Sequence, residues 1–247
     1  MQPHRYSNLY TWHKCQKYFE LNRIQGIPDG SDKNGDMAFG SAMHLAIEDL
    51  YAGGDGHEVF MTYMDTLKDM EYGRLKFDDL VWMGKQFINR FQEDVMKDIV
   101  PVHQEVRMST SYKYGDDEVI EVAGTADVLG TYKGEKCVLD WKTSSQPYDA
   151  YKIVTNPQMY LYADMANKSL GFEAKKIVYV VFIKDPKNPR IQVRQRDVTD
   201  CDIKKQVDNV LEIFRTIQNT EVFTKNTDSC KTWNGLCPYF ERCWNGN

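Results

Sequence analysis

The stretch VLDWKT, residues 138–143, begins like a buried strand and ends on charge. Side chains alternate faces along a strand, so Val138, Asp140 and Lys142 share one face while Cys137, Leu139 and Trp141 share the other. A carboxylate and an amine therefore stand side by side near the strand's end. Two explanations fit the pair: a salt bridge at the rim of a sheet, or a metal ligand beside a catalytic cation. The preceding run, EVIEVAGTADVLGTY (118–132), carries Asp127, and the KGE between the two runs is a good hairpin connection. Pairing these strands brings two carboxylates towards one point. That is the least scaffold for a hard divalent cation, because Mg²⁺ takes oxygen ligands, usually one or two carboxylates with water and substrate phosphate. Lys142 would then position the attacking water or steady the charge that grows on the phosphate.

Working outward, VHQEVRMSTSYKY (102–114) is a third strand-like run, joined to EVIEV by GDD, and the three make a meander. After VLDWKT comes a helix expected from about Asn156 to Leu170, ended by Gly171. The strand KIVYVVFIK, the turn DPKNP, the strand RIQVRQRDV and a helix from about Asp200 to Gln218 follow. The first hundred residues read as helical. YSNLYTWHKCQKYFELNRI has Ser7 as its expected N-cap, PDGSDKNGD (28–36) is a loop, and helices are expected at Met37–Tyr51, 57–71 and 77–98. This order predicts an α/β arrangement on a mixed central sheet flanked by helices.

The chain has 247 residues, 42% of them apolar and 27% charged, which suits one elaborated folded domain. The longest strongly apolar run, IVYVVFI at 177–183, is too short to span a bilayer, and MQPHRYSNLYTW has no apolar secretory core. A cytoplasmic protein, in a bacterial or phage-infected cell and without a membrane partner, is expected. Net charge is −5, which argues against nucleic-acid binding by bulk charge alone. The balance is local: Asp29 to Glu105 holds 16 acidic and 7 basic residues, whereas Lys168 to Arg196 holds 8 basic and 2 acidic. A polyanion would meet the second segment or the basic N-terminus; an ordinary strand pair with outward lysines fits equally well.

Three more residues bear on the central pair. His44 lies in FGSAMHLAIEDLY on an otherwise apolar helix face, where it is either a core histidine or a ligand whose sphere carboxylates must complete. Gln158 and Tyr162 in NPQMYLYADM are four apart and share a helix face, from which they could contact a phosphate, orient the lysine or simply seat the helix on the sheet. In the order GSAMH, GTAD, DWK and QMYLY, these motifs resemble the PD-(D/E)XK nuclease superfamily, specifically its RecB-like exonuclease branch. YSNLYTWHKCQKYF also looks like the serine, leucine, cysteine and phenylalanine entry helix of that branch.

The resemblance implies a restriction-endonuclease-like core and a metal site for Mg²⁺ or Mn²⁺. His44, Asp127 and Asp140 would be ligands, joined by the backbone carbonyl of Trp141, with Glu105 in HQEVRM as a further acidic residue near the metals. Lys142 matches the family lysine, and Gln158 with Tyr162 its Gln-x-x-x-Tyr motif. Asp127, Asp140, Lys142, Gln158 and Tyr162 are the expected catalytic group.

Six cysteines without a signal peptide point to metal or redox chemistry. Cys230, Cys237 and Cys243 crowd CKTWNGLCPYFERC, and Cys15 lies over 200 residues earlier. Thiolates from both ends on one centre would cross-link the chain over a long loop. The resemblance implies a 4Fe-4S cluster on these four, although the late spacings of six and five residues depart from the commoner pattern. A four-thiolate Zn²⁺ site therefore stays open, with unliganded cysteines as a third reading. Cys137 and Cys201 read as ordinary small residues.

The expectation is one nuclease domain over 1–247, with a helical part (1–100), a catalytic α/β core (101–220) and a cysteine-rich segment (221–247) joined to Cys15. The expected activity is metal-dependent exonucleolytic hydrolysis of single-stranded or frayed DNA in recombination, repair or phage DNA processing. Alternatives are a structure-specific endonuclease, a trimming nuclease bound to a partner, and a non-catalytic DNA-binding iron-sulfur module. A recombinase, a helicase or a CRISPR adaptation protein are the candidate partners besides DNA.

Overall fold

The computed structural model describes residues 3–30, 35–70, 75–114, 118–232 and 235–245; the GDD turn and the middle of the 28–36 loop lie outside the described residues. The chain runs α1 (Tyr6–Lys14), α2 (Gln16–Phe19), α3 (Gly35–Tyr51), α4 (His57–Asp65), α5 (Phe77–Arg90), β1 (Ile99–Tyr114), β2 (Glu118–Tyr132) and β3 (Glu135–Ser144). It continues α6 (Lys152–Thr155), α7 (Gln158–Leu170), β4 (Lys176–Ile183), β5 (Arg190–Asp197), α8 (Asp200–Gln218), β6 (Lys231–Thr232), β7 (Gly235–Leu236) and α9 (Phe240–Trp244). Contacts divide it into two units: Lys33–Met108 with Thr125–Val207, and Met1–Asp32 with Ser109–Gly124 and Asp208–Asn247.

Among the described residues, five strands form one mixed sheet in the order β1-β2-β3-β4-β5. β2 and β3 are antiparallel, and Lys133 (φ 51) and Gly134 (φ 84) both turn left-handed between them, the geometry that a two-residue hairpin needs. β3 and β4 are parallel, which obliges the chain to cross over through α7; Gly171 (φ 64) closes that helix in the left-handed cap. β5 then returns antiparallel. Every residue of β4 is buried, as the apolar run IVYVVFI requires of a strand covered on both faces.

In the larger unit, Cys137, Leu139 and Trp141 of β3 and Val178, Val180 and Phe182 of β4 face α3, α4 and α5 in one core. α5 presents Leu80, Met83, Gly84, Phe87 and Ile88 at helical spacing to that core. Gly84 lets α4 approach closely, since a Cβ there would lie 2.0 Å from the Phe60 ring. The helix expected over 77–98 is regular only to Arg90; a wide turn (Phe91–Val95) and a tight one (Met96–Asp98) deliver the chain to β1.

In the smaller unit, His4 pairs with β2: its N–H donates to Glu121 O (2.7 Å), and its carbonyl accepts from Ala123 N–H (2.8 Å). That pairing holds Arg5 extended, so the helix starts at Tyr6. Ser7 therefore lies inside the first turn and is not the cap; its carbonyl accepts from the Thr11 hydroxyl at 3.0 Å. The single helix expected over 6–24 is also broken, because Cys15 is extended (φ −169, ψ 123). The break frees the Lys17 N–H to donate to Thr224 O at 3.0 Å, while Gln16 Oε1 accepts from the Thr224 hydroxyl at 2.8 Å. Tyr18 packs edge-on against Tyr239 (4.9 Å), joining the early and late segments in a small apolar cluster.

Candidate metal centre and cysteine pocket

The central site lies wholly in the larger unit. Beyond the last β2–β3 pair, Val128 with Leu139, the next step along the two strands brings Asp127 beside Asp140. Asp127 Oδ2 accepts the Trp141 N–H at 2.7 Å, so its carboxylate is fixed by the strand that carries Asp140. α3 brings His44 over the same point, and its Nε2–H donates to the Trp141 carbonyl at 3.0 Å. Nδ1 of His44 then faces Glu105 Oε1 at 3.7 Å and Asp127 Oδ2 at 3.8 Å.

Among the described residues, His44, Glu105 and Asp127 form a group whose donor atoms all lie within 4.8 Å of one another. Glu105 reaches it from a left-handed backbone (φ 46), a conformation that non-glycine residues seldom adopt and that clusters at functional sites. Asp140 stands just outside that trio. It is 1% exposed, its Oδ2 lies 2.6 Å from the Lys142 ammonium, and that oxygen has no well-aligned hydrogen bond. The Trp141 side chain points the other way into the core, edge-on to Phe91 at 5.4 Å, as strand alternation predicts.

The electrostatics follow from burial and crowding. Burial, then the Asp140 charge, push the Asp127 carboxyl up to about 7. Burial opposes charge on His44, but Glu105, Asp127 and Asp140 together outweigh it and raise its pKa. Burial likewise opposes charge on Lys142, and Asp140 and Asp127 overcome it, so the amine stays protonated. Such an excess of buried carboxylate around an imidazole is a setting that a cation relieves. The donors present, one imidazole, carboxylates and a backbone carbonyl, suit a hard divalent ion.

On α7, Gln158 Nε2 donates to Tyr162 Oη at 3.2 Å, and the Tyr162 phenol, its pKa raised by burial and by Asp140, borders the site. Two neighbours had gone unremarked in the sequence. Glu48, one turn beyond His44, has its pKa raised by burial and by Glu105; the i, i+4 spacing in HLAIE is the signal that would have found it. Tyr148, in the loop after β3, feels both Lys142 and Asp140, and no spacing rule reaches across such a loop.

Cys15, Cys230, Cys237 and Cys243 line one pocket of the smaller unit, together with Tyr18 and Tyr239. The Asn226 N–H donates to Cys15 Sγ at 3.3 Å, and the Cys237 N–H donates to Cys230 O at 2.8 Å. Burial, then Cys237 and Cys15, raise the pKa of Cys243, as mutually crowded thiols require. Cys137 is buried, with its thiol pushed up to about 12, and belongs to the apolar core. Cys201 is exposed.

Comparison with known proteins bears on the fold and the family. An exonuclease candidate from Eubacterium rectale has a similar fold at a TM-score of 0.60 and 14% identity, over 92% of this chain and 85% of that one. SSO0001 aligns over 98% of this chain and 86% of its own at 14% identity, with a TM-score of 0.40. No curated protein matches the sequence significantly. The family model of the PD-(D/E)XK nuclease superfamily matches residues 6–244. The sheet that sets Asp127, Asp140 and Lys142 together is thus a restriction-endonuclease-like core, and the chain belongs to the PD-(D/E)XK nuclease superfamily.

Proposed function

We propose that this protein is a divalent-metal-dependent DNA exonuclease acting on single-stranded or frayed ends, in recombination, repair or phage DNA processing. The observation that carries it is the His44, Glu105 and Asp127 group beside the Asp140–Lys142 ion pair, in a chain of a nuclease superfamily. The assignment of its Eubacterium rectale structural relative as an exonuclease candidate agrees. His44, Asp127, Asp140 and the Trp141 carbonyl would hold Mg²⁺ or Mn²⁺, with Glu105 completing the sphere. When bound, such an ion polarises the phosphodiester and acidifies water.

The chain's own groups do the rest. Lys142, kept charged by Asp140, offers its ammonium to the charge that develops on the phosphate. Gln158 orients Tyr162 through their hydrogen bond, and Tyr162 in turn bounds the space beside Lys142. Asp127 ties the strand of Trp141 to its own and fixes the carbonyl that His44 contacts.

Cys15, Cys230, Cys237 and Cys243 would hold a 4Fe-4S cluster that stabilises the fold and takes no part in hydrolysis. Four thiols lining one pocket, with an amide N–H aimed at a sulfur, support this reading. Zn²⁺ is the alternative, because four thiolates can serve either centre.

A time course on DNA labelled at each end, with Mg²⁺ or Mn²⁺, tests the exonuclease assignment. Stepwise loss of nucleotides from one end is expected. Discrete internal cuts from the first time point would make the protein a structure-specific endonuclease, and binding without cleavage a DNA-binding module.

A further inference from the structure

The loop between β3 and α6 is pinned across the sheet face that carries Asp140 and Lys142. In register, Tyr179 of β4 lies beside Asp140 and Val181 beside Lys142, and on β5 Arg194 and Gln192 lie beside these in turn. Gln192 Oε1 accepts the Tyr148 N–H at 2.8 Å, and Arg194 Nε–H donates to the Tyr148 carbonyl at 2.9 Å. Two side chains from an ordered strand thus fix one loop residue at both of its backbone polar groups. The Tyr148 ring rests edge-on against Tyr179 at 5.6 Å. Lys152 then sets its ammonium 4.1 Å from the centre of that ring, while the neighbouring Tyr151 ring is 74% exposed. A cation held in place by an aromatic face, next to a bare aromatic ring, is the pairing by which proteins hold single-stranded nucleic acid: charge for the backbone, ring for the base.

We propose that Tyr148, Tyr151 and Lys152 form a strand clamp: Lys152, steadied on Tyr148, binds the phosphate next to the scissile one, and Tyr151 stacks on the adjoining base. This rests on the nuclease reading and names how its substrate strand is held. Gln192 and Arg194 are positioning residues that act through Tyr148. The clamp takes single strands in preference to duplex, because bases inside a duplex are stacked on their neighbours and have no free face to offer Tyr151.

The test compares wild type, Lys152→Gln and Tyr151→Ala on an end-labelled single-stranded oligonucleotide with Mn²⁺, with KM and kcat measured at two salt concentrations. Both residues are exposed, so both variants should keep the wild-type melting temperature. Lys152→Gln is expected to raise KM about tenfold with kcat within about twofold, and to flatten the salt dependence by the share of one phosphate contact, a slope change of about 0.7. Tyr151→Ala should raise KM about tenfold on normal DNA and much less on a strand carrying abasic sites at its end. Wild-type cleavage that both variants match in KM overturns the clamp and leaves the nuclease reading standing. A fall in kcat at unchanged KM also overturns it. If wild type does not cleave, the nuclease reading fails, and fluorescence anisotropy with the same oligonucleotide still decides the clamp: unchanged affinity in both variants overturns it.

Discussion

Glu105 holds a left-handed backbone within a strand, at φ 46, and its carboxylate stands 3.7 Å from His44 Nδ1. A residue kept in so sparsely populated a conformation costs about 1–3 kcal/mol, which the surrounding sheet must offset. Glu105→Gly would relax the backbone and delete the carboxylate together, so thermal stability should hold or rise while metal response falls. A lower melting temperature and an unchanged response would contradict this. Asp127→Ala should abolish the rise in melting temperature that Mn²⁺ gives the wild type, and removal of metal with EDTA should return the wild type to its own metal-free value. The Asp140–Lys142 pair could be read from the alternation in VLDWKT, and Asp127 from the hairpin beside it. Glu48 is marked only by its i, i+4 spacing from His44, and Tyr148 by nothing, because its nearness to the site arises where a loop packs over the sheet. Asp140 is buried and pairs with Lys142 at 2.6 Å, an arrangement that a structural ion pair and a ligand beside a cation share.

At the scale of elements, α3, α4 and α5 support β3 from behind, so changes far from the carboxylates should act through the strand. Trp141→Ala removes a buried ring packed on Phe91 and should cost about 3–5 kcal/mol of stability, read as a lower denaturant midpoint. Gly84→Ala would press a methyl into the Phe60 ring and should cost about 1–3 kcal/mol. Neutral behaviour of Gly84→Ala would mean that α4 and α5 can separate freely. The strands and the long helices were legible because their hydrophobic periods are strong: α8 begins and ends where expected, at Asp200 and Gln218. The misreadings lie in the helices of the first hundred residues: α4 ends at Asp65 and not at 71, α5 is regular only to Arg90, and the first helix breaks at Cys15. Helical spacing there runs unbroken through Cys15, and only the pairing of Lys17 and Gln16 with Thr224, over 200 residues away, explains the break. Tertiary contacts of that range leave no trace in local periodicity.

For the molecule as a whole, the two units each hold one candidate inorganic centre. The pocket of four cysteines ties α1 and α2 to the last stretch of chain, where Asn226 and Ser229 donate to Lys14 O at 2.9 and 2.7 Å. Protein purified without oxygen should be brown and carry iron and acid-labile sulfide, and Cys243→Ala should lose the colour and unfold at lower temperature. Colourless protein with one zinc per chain would replace the cluster by the four-thiolate site. Among the described residues no helix is long and apolar enough to cross a membrane. The central claim is that Asp127, Asp140 and Lys142 with His44 make a metal-dependent phosphodiesterase site. Its most direct test is cleavage of end-labelled single-stranded DNA with Mn²⁺ by wild type and Asp140→Ala, both shown to be folded. The account predicts progressive degradation by wild type and a loss of at least about 100-fold in the variant, since losing a metal ligand should cost no less than losing a group that orients one. Equal degradation by the two proteins would contradict it.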